Sequence, residues 1–159
     1  MGALIAANVA ARYPQRVASA SLIAGPFYAD SATFTRESAR WVRDLERGAG
    51  LRNFLEWIFP GLPDSTARGM SAETMAHNDS VSMVGTMRSF GGLAVTSDRL
   101  ARASVPVFVA VGGNDPLAPL SRQLAKQWPK AQLVELAGVD HVQIVTRPEV
   151  MTGMRAIMR

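Results

Sequence analysis

The sequence predicts an α/β fold with a parallel sheet, in a single domain of 159 residues that a helical segment interrupts. Two apolar stretches without charge occur far apart, at residues 17–24 and 105–111, and a third strand-length stretch follows at 132–136. Apolar stretches of this kind are typical of strands that are covered on both faces of a parallel sheet. In the last third of the chain, strand and helix alternate, which indicates parallel strands joined by right-handed crossovers.

The first part of the chain predicts one helix and one strand. Residues 2–13 are rich in alanine, and the helix stops where Pro14 follows. Residues 17–24 (VASASLIA) predict a buried strand, which Gly25 and Pro26 end. The chain therefore enters the sheet early and leaves it again before residue 27.

The middle part of the chain, residues 27–98, predicts helices without a strand. Glycines and prolines mark the ends of helices, and side chains that accept backbone hydrogen bonds mark their starts. The expected bounds are a helix ending near Arg47 before Gly48 and Gly50, a second over 51–59 before Pro60 and Gly61, a third capped by Ser71, and a fourth capped by Asp79 or Ser80 and ending at Phe90.

The last part of the chain returns to alternating strands and helices. The predicted elements are a strand over 105–111, a turn over 112–115, a helix over 120–127, a strand over 132–136, a loop over 138–141 and a closing helix over 148–159. Pro148 suits the first turn of that closing helix.

The composition narrows the range of functions. The 48% of hydrophobic and 19% of charged residues are typical of a globular protein. The sequence has no cysteine, which removes disulfides and thiolate metal sites, and we expect neither a metal nor a cofactor. The net charge of +4 comes from arginines interleaved with acids, so we do not expect nucleic acid as a partner. The apolar start is too short to span a bilayer and no basic residue precedes it, so we expect no membrane contact and a cytoplasmic location.

Two ionisable residues follow predicted strands at their carboxyl ends. Asp115 comes just after strand 105–111, and His141 comes just after strand 132–136. The carboxyl ends of neighbouring parallel strands meet at one edge of a sheet, so we expect the two side chains to meet. A carboxylate that accepts the Nδ1 hydrogen of an imidazole orients the ring as a general base.

Each of these residues, taken singly, is better explained as a turn aspartate or a solvated histidine. Their placement on adjacent strand ends favours the catalytic interpretation. Asp140 is a competing acid, and we rank it below Asp115 because neighbouring side chains in an extended loop point apart. No G-x-G-x-x-G or G-x-x-x-x-G-K motif occurs, which disfavours a cofactor-binding α/β domain.

Several segments resemble motifs of the α/β-hydrolase family. Residues 112–117 (GGNDPL) are similar to its acid loop, and residues 138–141 (GVDH), followed by 147–149 (RPE), are similar to its histidine loop. Residues 1–7 (MGALIAA) and 13–17 (YPQRV) are similar to the helix after the nucleophile elbow G-x-S-x-G and to the exit from that helix.

This resemblance implies a partial α/β-hydrolase fold in one domain over 1–159, with a core of residues 1–26 and 99–159 and a helical cap insertion at 27–98. It also implies a catalytic triad in which Asp115 is the acid and His141 the base. The serine is absent, because Met1 and Gly2 match the two residues that follow it in the elbow.

The resemblance assigns Met1 a backbone N–H in the oxyanion hole. Some relatives carry an aspartate in place of the serine and cleave carbon–halogen bonds, so the nucleophile and the bond cleaved stay open. We expect the chain to be the C-terminal part of a longer hydrolase, with Gly-x-Ser encoded just upstream, and to be inactive alone.

The expected substrate is a small apolar ester, lactone or related acyl compound, because the helical insertion is rich in aromatic residues. Trp41, Trp57 and Phe90 are the candidate pocket residues, and packing of the insertion itself is the alternative explanation for them. We also expect strand 17–24 to have an unpaired edge that is open to self-association. The alternative function is a non-catalytic interaction protein that retains the hydrolase scaffold.

Overall fold

The structure, a computed structural model, describes residues 1–158. It divides into two compact units, one formed by Met1–Ala29 with the chain from Leu93 onward and the other by Asp30–Gly92. The first is an α/β unit and the second is helical, within the slightly longer range of 27–98 that the sequence gives for the insertion. In chain order the elements are α1 (Gly2–Arg12), β1 (Ala20–Ile23), α2 (Ser31–Glu46), α3 (Arg52–Ile58), α4 (Asp64–Ala76), α5 (Ser80–Ser89), α6 (Ser97–Ala101), β2 (Val107–Gly112), α7 (Ala118–Gln127), β3 (Ala131–Leu136) and α8 (Pro148–Ile157).

The α/β unit contains a three-stranded parallel sheet in the order β1-β2-β3. The central strand β2 is buried along its whole length, as its sequence VFVAVG predicts. Val107 and Val109 pack in one cluster with α1 and α7, while Phe108 and Ala110 pack in a second cluster with α8. Because a helix layer covers each face of β2, the predicted α/β fold with a parallel sheet is confirmed.

β1 is shorter than the predicted strand 17–24. A 3₁₀ turn over Pro14–Arg16 follows α1, and the first hydrogen bond of the ladder runs from the N–H of Ala20 to the C=O of Pro106 at 3.0 Å. The last runs from the N–H of Ala24 to the C=O of Ala110 at 2.7 Å, and the φ of 50° at Ala24 then turns the chain out of the sheet. Within residues 1–158, no strand pairs with the outer edge of β1.

The helical unit consists of α2 to α5. The α2 and α5 helices pack against each other through Val42, Leu45 and Val84. Gly48 and Gly50, both with positive φ, follow α2 and end it, as the sequence predicts. The unit therefore has an apolar contact of its own.

Two helices of this unit start with aspartate caps. The carboxylate of Asp30 accepts the N–H of Thr33 at 2.7 Å, and this bond lowers the pKa of Asp30. Asp79 caps α5, as predicted. The predicted cap at Ser71 is wrong, because α4 already begins at Asp64 and Ser71 lies buried inside it. Its hydroxyl instead accepts the N–H of Leu51 at 2.8 Å, a tertiary contact that local sequence does not reveal.

Other bounds differ from the prediction by one or two residues. The helix predicted over 120–127 begins at Ala118, and α8 ends at Ile157; its predicted end at Arg159 falls outside the described residues. The short helix α6 was not predicted, although Thr96 caps it. No helix in the part of the chain that the structure describes is long and apolar enough to cross a bilayer.

Candidate active site

Asp115 lies in the tight turn between β2 and α7. Its N–H donates to the C=O of Gly112 at 3.1 Å, and its own C=O accepts the N–H of Ala118, where α7 begins. The carboxylate Oδ1 accepts the N–H of Leu117 at 2.8 Å. The side chain is 0% exposed. A buried carboxylate requires polar partners, and this loop supplies one of them.

His141 supplies the second partner. It follows β3 in a loop that turns at Gly138, where φ is 72°. Its Nδ1 lies 2.8 Å from Oδ2 of Asp115, although 26 positions separate the two residues. The imidazole is 30% exposed. The structure therefore brings together the two residues that the sequence selects, with Asp115 enclosed and His141 partly open to solvent.

Backbone contacts join the two loops next to this pair. The N–H of Gly113 donates to the C=O of Leu136 at 2.8 Å, and the N–H of Asn114 donates to the C=O of Val139 at 3.0 Å. A Cβ atom on Gly112 would lie 2.1 Å from the carbonyl oxygen of Val139, which is far inside van der Waals contact. Glycine at this position therefore allows the backbones to approach closely enough for the side chains to meet.

This arrangement determines which ring nitrogen is available for chemistry. An ionised carboxylate only accepts hydrogen bonds, so the hydrogen of the neutral ring belongs on Nδ1 of His141. The lone pair then resides on Nε2, the nitrogen that does not face Asp115. An imidazole held in this tautomer can take a proton at Nε2, and the carboxylate stabilises the imidazolium that results.

Asp140, the competing acid, contacts the backbone. Its Oδ1 accepts the N–H of Val142 at 2.9 Å and the N–H of Gln143 at 2.8 Å. The side-chain oxygen of Gln143 accepts the N–H of Asp140 in return, at 3.3 Å. This reciprocal pair was not among the predicted site residues. The spacing Asp-x-x-Gln is the signal that finds it, because its reciprocal bonds resemble those of a capping box, although the 3₁₀ turn that follows begins only at Gln143.

Met1, the residue assigned to the oxyanion hole, lies at the N-terminus of α1. Its C=O accepts the N–H of Leu4 at 2.9 Å and the N–H of Ile5 at 3.3 Å. Burial of its amino group lowers the pKa of that group, while the side chain is exposed. A backbone nitrogen at the start of a helix is a favourable place for a developing negative charge. The oxyanion role of Met1 stays a prediction.

The three candidate pocket residues all lie in the helical unit, but in two separate aromatic groups. Trp41 and Trp57 are in contact, with ring centroids 4.6 Å apart. Phe90 pairs with Phe34 at 5.9 Å. Trp41 is buried, and no hydrogen-bond partner for its indole N–H occurs among residues 1–158. The substrate-pocket role of these residues stays a prediction.

His77 is the second imidazole of the chain and lies in the helical unit. Its side chain is 74% exposed, and its Nε2 lies 3.2 Å from a carboxylate oxygen of Glu73, one helical turn earlier. His77 therefore differs from His141 in its exposure and in the ring nitrogen that faces a carboxylate. Among the residues described, no group of three or more His, Asp or Glu side chains is placed to hold a metal ion.

A parallel sheet with a carboxylate after one strand and an imidazole after the next, in this chain order, resembles the arrangement of the α/β-hydrolase family. The sequence model of the alpha/beta hydrolase family matches residues 1–152, and the chain belongs to this family. No curated protein matches the chain in sequence.

Solved structures share this fold. The enol-lactonase from Burkholderia xenovorans LB400 is 21% identical with a TM-score of 0.69, over 98% of this chain and 61% of its own. MGS-M2, an alpha/beta hydrolase from a Medee basin deep-sea metagenome library, is 18% identical with a TM-score of 0.68. The match covers 99% of this chain and 62% of MGS-M2. MenH from S. aureus is 15% identical with a TM-score of 0.70, and the match covers 99% of this chain and 66% of MenH. The chain thus spans less than two thirds of the length of these structures.

Proposed function

We propose that this chain carries the acid and base of a hydrolase active site whose nucleophile it does not contain. His141 acts as the general base and then as the general acid, and Asp115 orients it. The observation that carries the proposal is the 2.8 Å contact between Nδ1 of His141 and the buried carboxylate of Asp115. The 30% exposure of the imidazole also supports the proposal, because a general base must be accessible to its substrate.

The proposed reaction is acyl transfer to water. A serine from outside these residues attacks the acyl carbon, and its proton moves to Nε2 of His141. The imidazolium then returns this proton to the leaving alcohol. A water molecule attacks the acyl-serine while His141 takes its proton, and the imidazolium then gives this proton to the serine oxygen as the acid leaves. An aspartate in place of that serine stays the alternative nucleophile.

The proposed substrate is a small apolar ester, lactone or related acyl compound. The aromatic group around Trp41 and Trp57 supports an apolar acyl portion, since aromatic rings of this kind bind apolar ligands well. One of the similar structures is an enol-lactonase, which agrees with a lactone or ester substrate. At 21% identity the likeness shows a shared fold only.

The reactivity of the His141 imidazole can be tested in this chain without the serine, because a polarised imidazole accepts an acyl group from an activated ester. The full chain is incubated with p-nitrophenyl acetate in mildly alkaline buffer. Mass spectrometry then measures acetylation at His141 and at His77, which serves as the internal control.

We expect Asp115→Asn to slow acetylation of His141 several-fold, because the ring loses its carboxylate, and to leave the rate at His77 unchanged. We also expect no ester turnover faster than the slow hydrolysis of the acetylated imidazoles, since the serine is absent. Equal rates at His141 in the wild type and in Asp115→Asn, or steady turnover that survives His141→Ala, would refute the proposal.

A second candidate function, that of an interaction protein, is favoured by the surface around α1 and β1. The outer edge of β1 is unpaired within residues 1–158, and an open edge of this kind pairs readily with another strand. The α1 helix has no charged residue between Gly2 and Ala11, and a helix that is apolar all round is normally buried. Its exposed apolar residues recur every fourth position: Met1, Ile5, Val9 and Tyr13.

The partner proposed for this surface is a second copy of the chain. A two-fold axis through the edge pairs two β1 strands antiparallel and sets both α1 helices side by side on one face of the joined sheet.

Light scattering coupled to size exclusion tests self-association. We expect a dimer in the wild type and a monomer in the double variant Ile5→Lys, Val9→Lys. Val145→Lys, which places the same charge on another exposed apolar residue, is the control and should stay dimeric. A monomeric wild type rejects this second function.

A further inference from the structure

The loop that carries His141 is anchored on both sides of that residue. Before it, the C=O of Val139 accepts the N–H of Asn114 from the acid loop. After it, the chain forms a 3₁₀ turn over Gln143–Thr146, and Ile144 in this turn is completely buried in the core cluster that contains β2 and α8. His141 therefore lies in a short span between two fixed points.

Asp140 and Gln143 close this span. The Asp140 carboxylate accepts the N–H groups of Val142 and Gln143, and the Gln143 side chain accepts the N–H of Asp140. In addition, the N–H of Ile144 donates to the C=O of Asp140 at 3.3 Å. These bonds satisfy the backbone donors on either side of His141 and define the direction in which its Cα–Cβ bond points.

We propose that Asp140 and Gln143 are positioning residues for His141, acting through the backbone of the turn. This inference rests on the proposed function of His141 as the base. The imidazole is 30% exposed, and its orientation depends in part on the bond to Asp115 and on the turn itself. Without the capping box, the loop samples other conformations, and Nδ1 spends less time on Asp115.

The alternative is that the Asp140 carboxylate acts on the ring as a second acid. A matched pair of variants separates these roles. Asp140→Asn removes the charge but keeps an oxygen that accepts the two N–H groups, whereas Asp140→Ala removes both. Gln143→Leu removes the returning contact. Glu149→Ala, which removes an exposed acid at the start of α8, is the control.

The measurement is the exchange rate of the Nδ1 hydrogen of His141 with solvent, by ¹⁵N-edited NMR on the full chain. We expect exchange about fivefold faster in Asp140→Ala and in Gln143→Leu, which is the fold-change that loss of one capping side chain produces. Asp140→Asn should stay within about twofold of the wild type, as should Glu149→Ala. Urea unfolding of each variant separates this local change from a loss of global stability.

Two results overturn the inference. If Asp140→Asn exchanges as fast as Asp140→Ala, the charge matters and the cap does not. If neither Asp140→Ala nor Gln143→Leu changes the rate, the turn is held without them. Failure of the proposed function has a different signature, because the wild-type ring would then carry its hydrogen on Nε2 whatever residue occupies position 140.

Discussion

The acid loop and the histidine loop hold their functional residues by different means. The side chain of Asp115 is completely buried, and in the tight turn between β2 and α7 its carboxylate accepts the N–H of Leu117. The side chain of His141 is 30% exposed, and the residue follows β3, a strand with no buried residue. A residue that only orients another can be buried, whereas a residue that exchanges protons with a substrate must stay accessible. Asp115 is therefore enclosed in the core together with its hydrogen-bond partners, whereas His141 depends on its bond to Asp115 and on the hydrogen bonds of its own turn.

The two loops are nevertheless connected through their backbones. The bonds from Gly113 to Leu136 and from Asn114 to Val139 continue the pairing of β2 and β3 beyond the strands themselves. The distance between the acid and the base is therefore set by the backbone as well as by their own side chains. Substitutions in this connection, at Asp115 and on the outer surface should therefore lower the stability of the fold by different amounts.

The largest effect is expected at Gly112, because a side chain there collides with backbone. Gly112→Ala would place Cβ 2.1 Å from the carbonyl oxygen of Val139, so the two loops must separate. We expect a loss on the order of 3 kcal/mol in the free energy of unfolding, measured by urea denaturation. Gly113→Ala is the control, since its Cβ would lie 3.4 Å from Leu136 and Ala137; it should cost less than about 1 kcal/mol. Equal stability of the two variants would show that the loops do not depend on close approach.

A smaller effect is expected from removing the buried acid. Asp115→Ala removes the acceptor of the buried N–H of Leu117 and of the partly buried Nδ1 of His141, which costs about 1–3 kcal/mol. Asp115→Asn should lose less, because its amide oxygen still accepts from Leu117. Urea unfolding midpoints test the order wild type, Asn, Ala. An Ala variant as stable as the wild type would mean that the carboxylate does not anchor the loop.

The smallest effect on stability is expected at the exposed ion pair between α7 and β3, the helix after the acid loop and the strand before the histidine loop. Arg122 of α7 donates two hydrogen bonds to Glu135 of β3, at 2.8 and 3.0 Å, and lowers the pKa of that carboxyl. A lowered carboxyl pKa adds stability above the unfolded pKa, and the gain disappears as the pH falls through the folded pKa. Arg122→Gln should therefore lower the melting temperature slightly at neutral pH, and the difference from the wild type should narrow in acid. A difference that persists in acid would point to lost packing of the arginine stem.

The sequence predicted most of the sheet and the meeting of Asp115 with His141, because both residues follow apolar strands in a pattern that places their ends at one edge. Its errors have tertiary causes. Ser71 has the chemistry of a cap, but it is buried inside α4 and bonds to Leu51, twenty positions earlier. The role of Asp140 depends on which of its neighbours lie within hydrogen-bond distance. Trp41 and Phe90 have similar side chains, yet they lie in separate groups that residue type alone does not distinguish.

The pairing of acid and base is open to direct observation by NMR. The couplings between the ring nitrogens and ring hydrogens of His141 report which nitrogen carries the hydrogen in the neutral ring. We predict the hydrogen on Nδ1 in the wild type and a shift of population toward Nε2 in Asp115→Asn. A wild-type ring with its hydrogen on Nε2, unchanged in Asp115→Asn, would contradict the assignment of His141 as a base oriented by Asp115.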